Sequence, residues 1–176
     1  PSADPTAAAK MIDIGACGVI APYVESLQQS TALVGAVRYR PLKGQRLEQK
    51  LAGDDLEPAL ETYLNERNAA NLLILNIESV PGKAAMEEIL SVPGIEAVLI
   101  GPHDLSCSLG IPEQYDHPEF LQACREIFQT ARNCGVGAGI HFMGTPQHQV
   151  DFSELGANLL IHSADLVIAA TQLRSD

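Results

Sequence analysis

Two short apolar runs, each closed by an acidic residue, set the tightest limit on how this chain can fold. They are residues 72–79 (LLILNIES) and 97–104 (AVLIGPHD). Both are too short to span a membrane. Such runs suit strands buried on both faces, as in a parallel sheet covered by helices. Glu78 and Asp104 then fall where the strands run out. In open α/β sheets and in α/β barrels, ligands bind at those carboxyl ends. Two carboxylates on neighbouring strand ends make a hard, oxygen-rich corner that suits Mg²⁺ or Mn²⁺. Each acid also has a plainer reading, as a cap for the turn that follows it.

The remaining apolar runs repeat the theme. Residues 18–24 (GVIAPYV), 136–142 (VGAGIHF) and 158–162 (NLLIH) read as three more strands. Helical spacing covers 6–14, 25–37, 54–68, 81–92, 118–133 and 146–155, with a last helix from Asp165. Asp4 is a good N-cap and Pro5 suits the first helical position. Gly15, Gly94, Gly135 and Gly156 each close a helix just before an apolar run. This alternation predicts βαβ units and a parallel sheet. Right-handed crossovers gather the strand ends on one face: Tyr23 and Glu25, Glu78 and Ser79, His103 and Asp104, His141, and His162 with Ser163 and Asp165. His141 and His162 read either as satisfied strand-end histidines or as extra ligands. Ser163 and Asp165 read as caps of the last helix, and Cys107 as a packed small hydrophobe. The basic stretch 38–46 (RYRPLKGQR) reads as a loop, either solvated or facing substrate.

The 176 residues, 46% hydrophobic and 19% charged, read as a single domain over 1–176. A net charge of −11 argues against nucleic acid and anionic membranes as partners. Neither a Walker A pattern nor GxGxxG occurs. With no Trp and 5% aromatic residues, a stacking platform for sugars or bases is not expected. Cys17, Cys107, Cys124 and Cys134 lack CxxC spacing, so free, buried or half-buried thiols in a reducing cytoplasm are expected. No apolar run spans a bilayer and no secretory pattern appears. The chain opens on a helix with no strand before it, and an α/β barrel typically needs about 250 residues. A piece at the amino end is therefore expected beyond these residues.

In order, GVIAPYVES, RYRPLKGQR, LNIESVPG, VPGIEAVLIGPHDLSCSLG and GANLLIHSAD resemble the HpcH/HpaI aldolase family, metal-dependent class II pyruvate aldolases of the phosphoenolpyruvate/pyruvate barrel superfamily. The resemblance covers essentially the whole chain. Its most specific piece is IGPHDLSCSLG placed after a strand ending in IE. It implies a (β/α)₈ TIM barrel, here without its N-terminal strands. It implies that Glu78 and Asp104 bind the metal, Mg²⁺, Mn²⁺ or Co²⁺, and that pyruvate chelates it through the keto oxygen and one carboxylate oxygen. The other carboxylate oxygen would be held by backbone N–H groups at the turn of Gly101, Pro102, His103 and Asp104. Asn76 stands where the family often has Gln, and His103 where it often has Ala. Family members also carry an Arg just before the segment matching Pro1 and Ser2, and a His with an acidic partner further upstream. Neither lies within these residues, so the catalytic acid–base groups are unassigned and this stretch alone is expected to be nearly inactive.

The implied reaction is cleavage of a 4-hydroxy-2-oxo acid to pyruvate and an aldehyde. Two alternatives stand beside it: a CoA-thioester lyase of the citrate lyase β type, and a non-catalytic oligomeric barrel scaffold. The resemblance further implies a small-molecule 2-oxo acid as partner and a homo-oligomer, trimer or hexamer. The last helix, with Leu166, Val167, Ile168 and Leu173, is the expected interface.

Overall fold

The computed structural model describes residues 2–175; Pro1, part of the expected helix entry, and Asp176 lie outside the described residues. Asp4 accepts the Thr6 N–H at 2.8 Å and starts α1 (Pro5–Asp13). Strand β1 (Gly18–Ala21) is shorter than its apolar run. Pro22 has no N–H for a ladder, and the Val24 N–H bonds instead to the Asn76 carbonyl at 3.2 Å. Ser26 caps α2 (Leu27–Arg38) by accepting the Gln29 N–H. The expected loop at 38–46 is only partly a loop, because α3 (Gly44–Leu51) begins inside it. Helix α4 (Pro58–Asn68) starts at its proline rather than at the acidic residues before it.

Then follow β2 (Leu72–Ile77), α5 (Val80–Ala84) and α6 (Met86–Leu90). The last two replace the single helix expected after Pro81. Strand β3 (Ala97–Ile100) stops at Gly101, so Asp104 sits in the first turn of α7 (Pro102–Ser108) and not on the strand. The remainder is α8 (Pro118–Asn133), β4 (Gly137–Phe142), α9 (Pro146–Glu154), β5 (Leu159–His162) and α10 (Asp165–Ser175).

The five strands form one sheet in the order β1-β2-β3-β4-β5, every neighbouring pair parallel. Asn76, Leu99, Gly139 and Leu159 lie side by side across four strands. Side chains alternate between faces along a strand. One face therefore carries Leu73, Leu75, Ile77, Val98, Ile100, Ala138 and Ile140, all buried. Leu33, Val34 and Val37 of α2, Ile89 of α6, and Phe120, Ile127 and Phe128 of α8 belong to the same buried core. Cys124 is buried in it too, and burial pushes its thiol up to about 12, which leaves it an inert packing group.

Two expectations need correction, and one left open is narrowed. Only β3 is buried on both faces; on β2, Leu72 is exposed and Ile74 and Asn76 are half-buried. Cys107 is exposed, as are Cys17 and Cys134, and all four cysteines are free. The basic stretch, read as either solvated or substrate-facing, spends its arginines on ion pairs. Arg38 pairs with Glu96, Arg40 with Asp13 and Arg46 with Glu57, and none of them lines the large cavity.

Gly139 is the tightest point of the sheet. A Cβ there would lie 2.3 Å from the Leu159 carbonyl oxygen and 2.7 Å from its Cβ. Backbone atoms cannot swing aside as a side-chain tip can. Gly139→Ala is expected to cost about 1–3 kcal/mol through overpacking, or roughly 2–12 °C in thermal midpoint for a chain of this size. Calorimetry measures this, and an unchanged midpoint would show that β4 and β5 are not so closely joined.

Candidate active site

Successive residues on the open face of the sheet lead to its carboxyl edge. Asn76 and Glu78 share that face at β2, Leu99 and Gly101 at β3, and Gly139 and His141 at β4. An open cavity of about 1250 Å³ lies over this edge. It brings together Asn76, Glu78, Gly101, Pro102, His103 and Asp104, all the residues named from the sequence as metal or substrate contacts.

Glu78 is 7% exposed, and both its carboxylate oxygens are held. Oε1 accepts from Asn76 Nδ2 at 2.8 Å, and Oε2 accepts from the Tyr23 N–H at 2.9 Å. Burial is the largest influence on its pKa and raises it. The two hydrogen bonds pull the other way, the Asp104 charge adds to the rise, and the result stays above the ordinary carboxylate value. Gly101 is what admits the carboxylate. A Cβ on Gly101 would lie 2.2 Å from Glu78 Oε1 and 2.8 Å from its Cδ.

Asp104 is exposed to the cavity from the first turn of α7. The first backbone bond into that helix runs from the Leu105 N–H to the Gly101 carbonyl. Pro102 has no N–H, so the N–H groups of His103 and Asp104 are the open donors of this terminus. Asn76 presents the complementary oddity: its Oδ1 is buried without a hydrogen-bond partner. An acceptor left bare beside a buried carboxylate suits a cation or a donor from a ligand.

Strain collects around the same edge. Tyr23, Glu113 and Ser163 are non-glycine residues with φ of 55, 59 and 58°. Each adopts a sparsely populated conformation. Tyr23 thereby turns its N–H onto Glu78, and the Ser163 carbonyl meets His141 Nε2 at 2.8 Å. Glu113 belongs to the 113–117 loop that walls the cavity, its Oε1 lying 3.6 Å from His103 Nε2.

Other strand-end residues have structural duties. Ser79 Oγ donates to Glu25 and accepts the Gly82 N–H at 3.1 Å, tying the β2–α5 turn to the start of α2. Asp165, expected as a cap, is instead the first residue of α10 and accepts the Leu166 N–H at 2.7 Å. His162 faces Gln149 and does not line the cavity. The Tyr23 amide, the steric need for glycine at 101 and the 113–117 wall escape sequence reasoning, because none follows from a side chain's own chemistry. Among the described residues no cluster of three or more His, Cys, Asp or Glu forms a complete protein-only metal cage.

Fold and site together define a parallel α/β protein with a carboxylate pair at the carboxyl edge of its sheet. The chain belongs to the HpcH/HpaI aldolase/citrate lyase family, whose model matches residues 1–167. It is 34% identical over 131 residues to hydroxypyruvate/pyruvate aldolase of Pseudomonas aeruginosa, a match covering 74% of this chain and 49% of that protein. It is 32% identical over 130 residues to 2-keto-3-deoxy-L-rhamnonate aldolase of Klebsiella pneumoniae, with the same coverage of 74% and 49%. The crystal structure of HpcH/HpaI aldolase from Desulfitobacterium hafniense DCB-2 aligns with a TM-score of 0.80 at 27% identity, over 99% of this chain and 68% of that chain. The chain spans about half the length of these two curated relatives.

The raised pKa of Glu78 has a consequence for stability. A carboxyl group favoured in its protonated form contributes stability below its unfolded pKa. That contribution is lost as pH rises through the higher folded pKa. Without divalent metal, the protein should therefore lose stability over the window from the ordinary glutamate range upward to the raised folded value. In Glu78→Gln this part of the pH dependence should vanish. Thermal midpoints across pH for both proteins test it, and identical pH slopes would contradict it.

Proposed function

We propose that the carboxyl edge of β2 and β3 is the metal and substrate site of a class II aldolase, a carbon–carbon lyase that cleaves a 4-hydroxy-2-oxo acid to pyruvate and an aldehyde. The observation carrying the proposal is Glu78: buried, held at both oxygens, and facing the bare position of Gly101. The five strands would be a consecutive sector of a (β/α)₈ barrel. Their unbroken order supports this, since doubly wound sheets reorder their strands.

A divalent cation fits the donors. Glu78 and Asp104 supply two hard oxygens, and Mg²⁺ commonly takes only one or two carboxylates, leaving positions for water and substrate. The unpartnered Asn76 Oδ1 adds a further acceptor beside them. The ion when bound would supply Lewis-acid stabilisation of negative charge developing on the 2-oxo group. The chain's own parts do the rest. Glu78 and Asp104 hold the ion, Asn76 orients Glu78, and the N–H groups of His103 and Asp104 orient the substrate carboxylate without adding charge. The residue that moves the C4 hydroxyl proton is left unassigned.

The exposed apolar side chains of α10 support a homo-oligomer. Leu166 is 79% and Leu173 78% exposed, with Val167 and Ile168 exposed beside them. A trimer or hexamer burying this face is proposed, and a monomer mass by light scattering at micromolar concentration would reject it.

The metal site is tested by titration with Mn²⁺ and by a pyruvate-release assay on the intact gene product. EDTA should abolish activity. Glu78→Gln and Asp104→Asn should each lower activity by about 10²–10³, the scale of losing electrostatic stabilisation. Asn76→Ala should weaken metal binding by about 10–100-fold as an outer-shell change. Gly101→Ala should push the Glu78 side chain aside, since its Cβ would meet Oε1 at 2.2 Å and both Cδ and Cγ at 2.8 Å, and so lose Mn²⁺ affinity. Unchanged Mn²⁺ affinity in Glu78→Gln and Asp104→Asn would overturn the assignment.

A further inference from the structure

We propose that His141 is a specificity-determining residue that accepts a hydrogen bond from a hydroxyl on C3 of the bound 2-oxo acid; this rests on the aldolase reading above. Asn76 pairs with Leu99, and Leu99 with Gly139. Two residues further along each strand stand Glu78, Gly101 and His141, on the same face by alternation. The middle strand contributes no side chain to this level, and Gly139 contributes none beneath His141. A carboxylate and an imidazole thus face each other across a bare strand. The two strand spacings between their backbones amount to about 9–10 Å. Glu78 Oε1 leans into this gap, 2.2 Å from where a Gly101 Cβ would stand, so a 2-oxo acid held at that carboxylate presents its C3 substituent toward the imidazole.

The ring orientation is fixed as well. His141 Nε2 lies 2.8 Å from the Ser163 carbonyl oxygen. A carbonyl only accepts, so Nε2 carries the proton, and a neutral His141 has its lone pair on Nδ1. Nδ1 makes no hydrogen bond to any described residue, and the ring lines the cavity. Ser163 holds a left-handed backbone, φ 58°, with its carbonyl directed at His141. A strained non-glycine residue that fixes one tautomer of a cavity-lining imidazole marks a built contact. The acceptor it leaves exposed suits a hydroxyl donor, whereas a methyl group in the same place leaves Nδ1 unpaired.

The test compares pyruvate with hydroxypyruvate, which differ by this one hydroxyl. Binding to the intact gene product with Mn²⁺ is measured by calorimetry, and the imidazole nitrogens are followed at pH 8 by ¹⁵N NMR with Mg²⁺. The protein should prefer hydroxypyruvate. That preference should fall about 10–100-fold in His141→Phe, the scale of one buried hydrogen bond with a strong donor–acceptor match. His141→Gln, which keeps an acceptor, should retain part of it. The His141 signals should show the Nε2–H tautomer, and hydroxypyruvate should shift Nδ1 more than pyruvate does. If both ligands bind but the preference is the same in His141→Phe, the role of His141 is wrong and the aldolase reading stands. A proton found on Nδ1 would overturn the role of His141 in the same way. If neither ligand binds in the presence of metal, the aldolase reading fails and this inference with it.

Discussion

Everything at the carboxyl edge depends on keeping one charged carboxylate where water is scarce. Glu78 is almost fully buried, and burial alone drives it toward its protonated form. Two donors oppose that drive, one from a neighbouring strand residue and one from the backbone at the end of β1. Neither is sufficient, since the pKa stays raised. A cation would complete the balance that these hydrogen bonds begin. Several otherwise unrelated details then share a purpose: the strained Tyr23, the unpartnered oxygen of Asn76, and the glycine at 101 that no side chain could replace without displacing the carboxylate.

The helix face of the sheet is the platform for this arrangement. Leu75 and Ile77 alternate with Asn76 and Glu78, so the apolar residues that lock β2 onto α2 also aim the polar ones at the cavity. A one-residue slip of β2 would bury Asn76 and Glu78 among the helices and expose the leucines. The same packing that stabilises the fold therefore sets which side chains meet. At β4, the alternation places His141 in the cavity while Ile140 and Phe142 remain in the core.

Much of this is readable from residue order. Apolar runs separated by helical spacing and glycine stops imply five strands in parallel, and the two acids at 78 and 104 reach the same cavity. What sequence reasoning misses has a common physical cause. The strands end earlier than Val24, Ser79 and Asp104, because an apolar or familiar residue does not reveal where ladder bonding stops. Helix α3 hides behind the basic residues of 38–46, whose charges pair with acids distant in sequence. The support of Glu78 by the Tyr23 amide depends on a backbone angle, and no pattern of side chains announces it. Cys107 has the size and chemistry of a packing residue, but the short α7 turns it outward.

A cation bridging Glu78 and Asp104 is the proposed centre of the site, and crystals of the intact gene product grown with Mn²⁺ and pyruvate would address it most directly. Anomalous diffraction should place one manganese between the two carboxylates, with the pyruvate carboxylate against the His103 and Asp104 N–H groups. Manganese bound instead among Glu113, Asp116 and the histidines of the cavity wall, with Glu78 still held only by Asn76 and Tyr23, would contradict it.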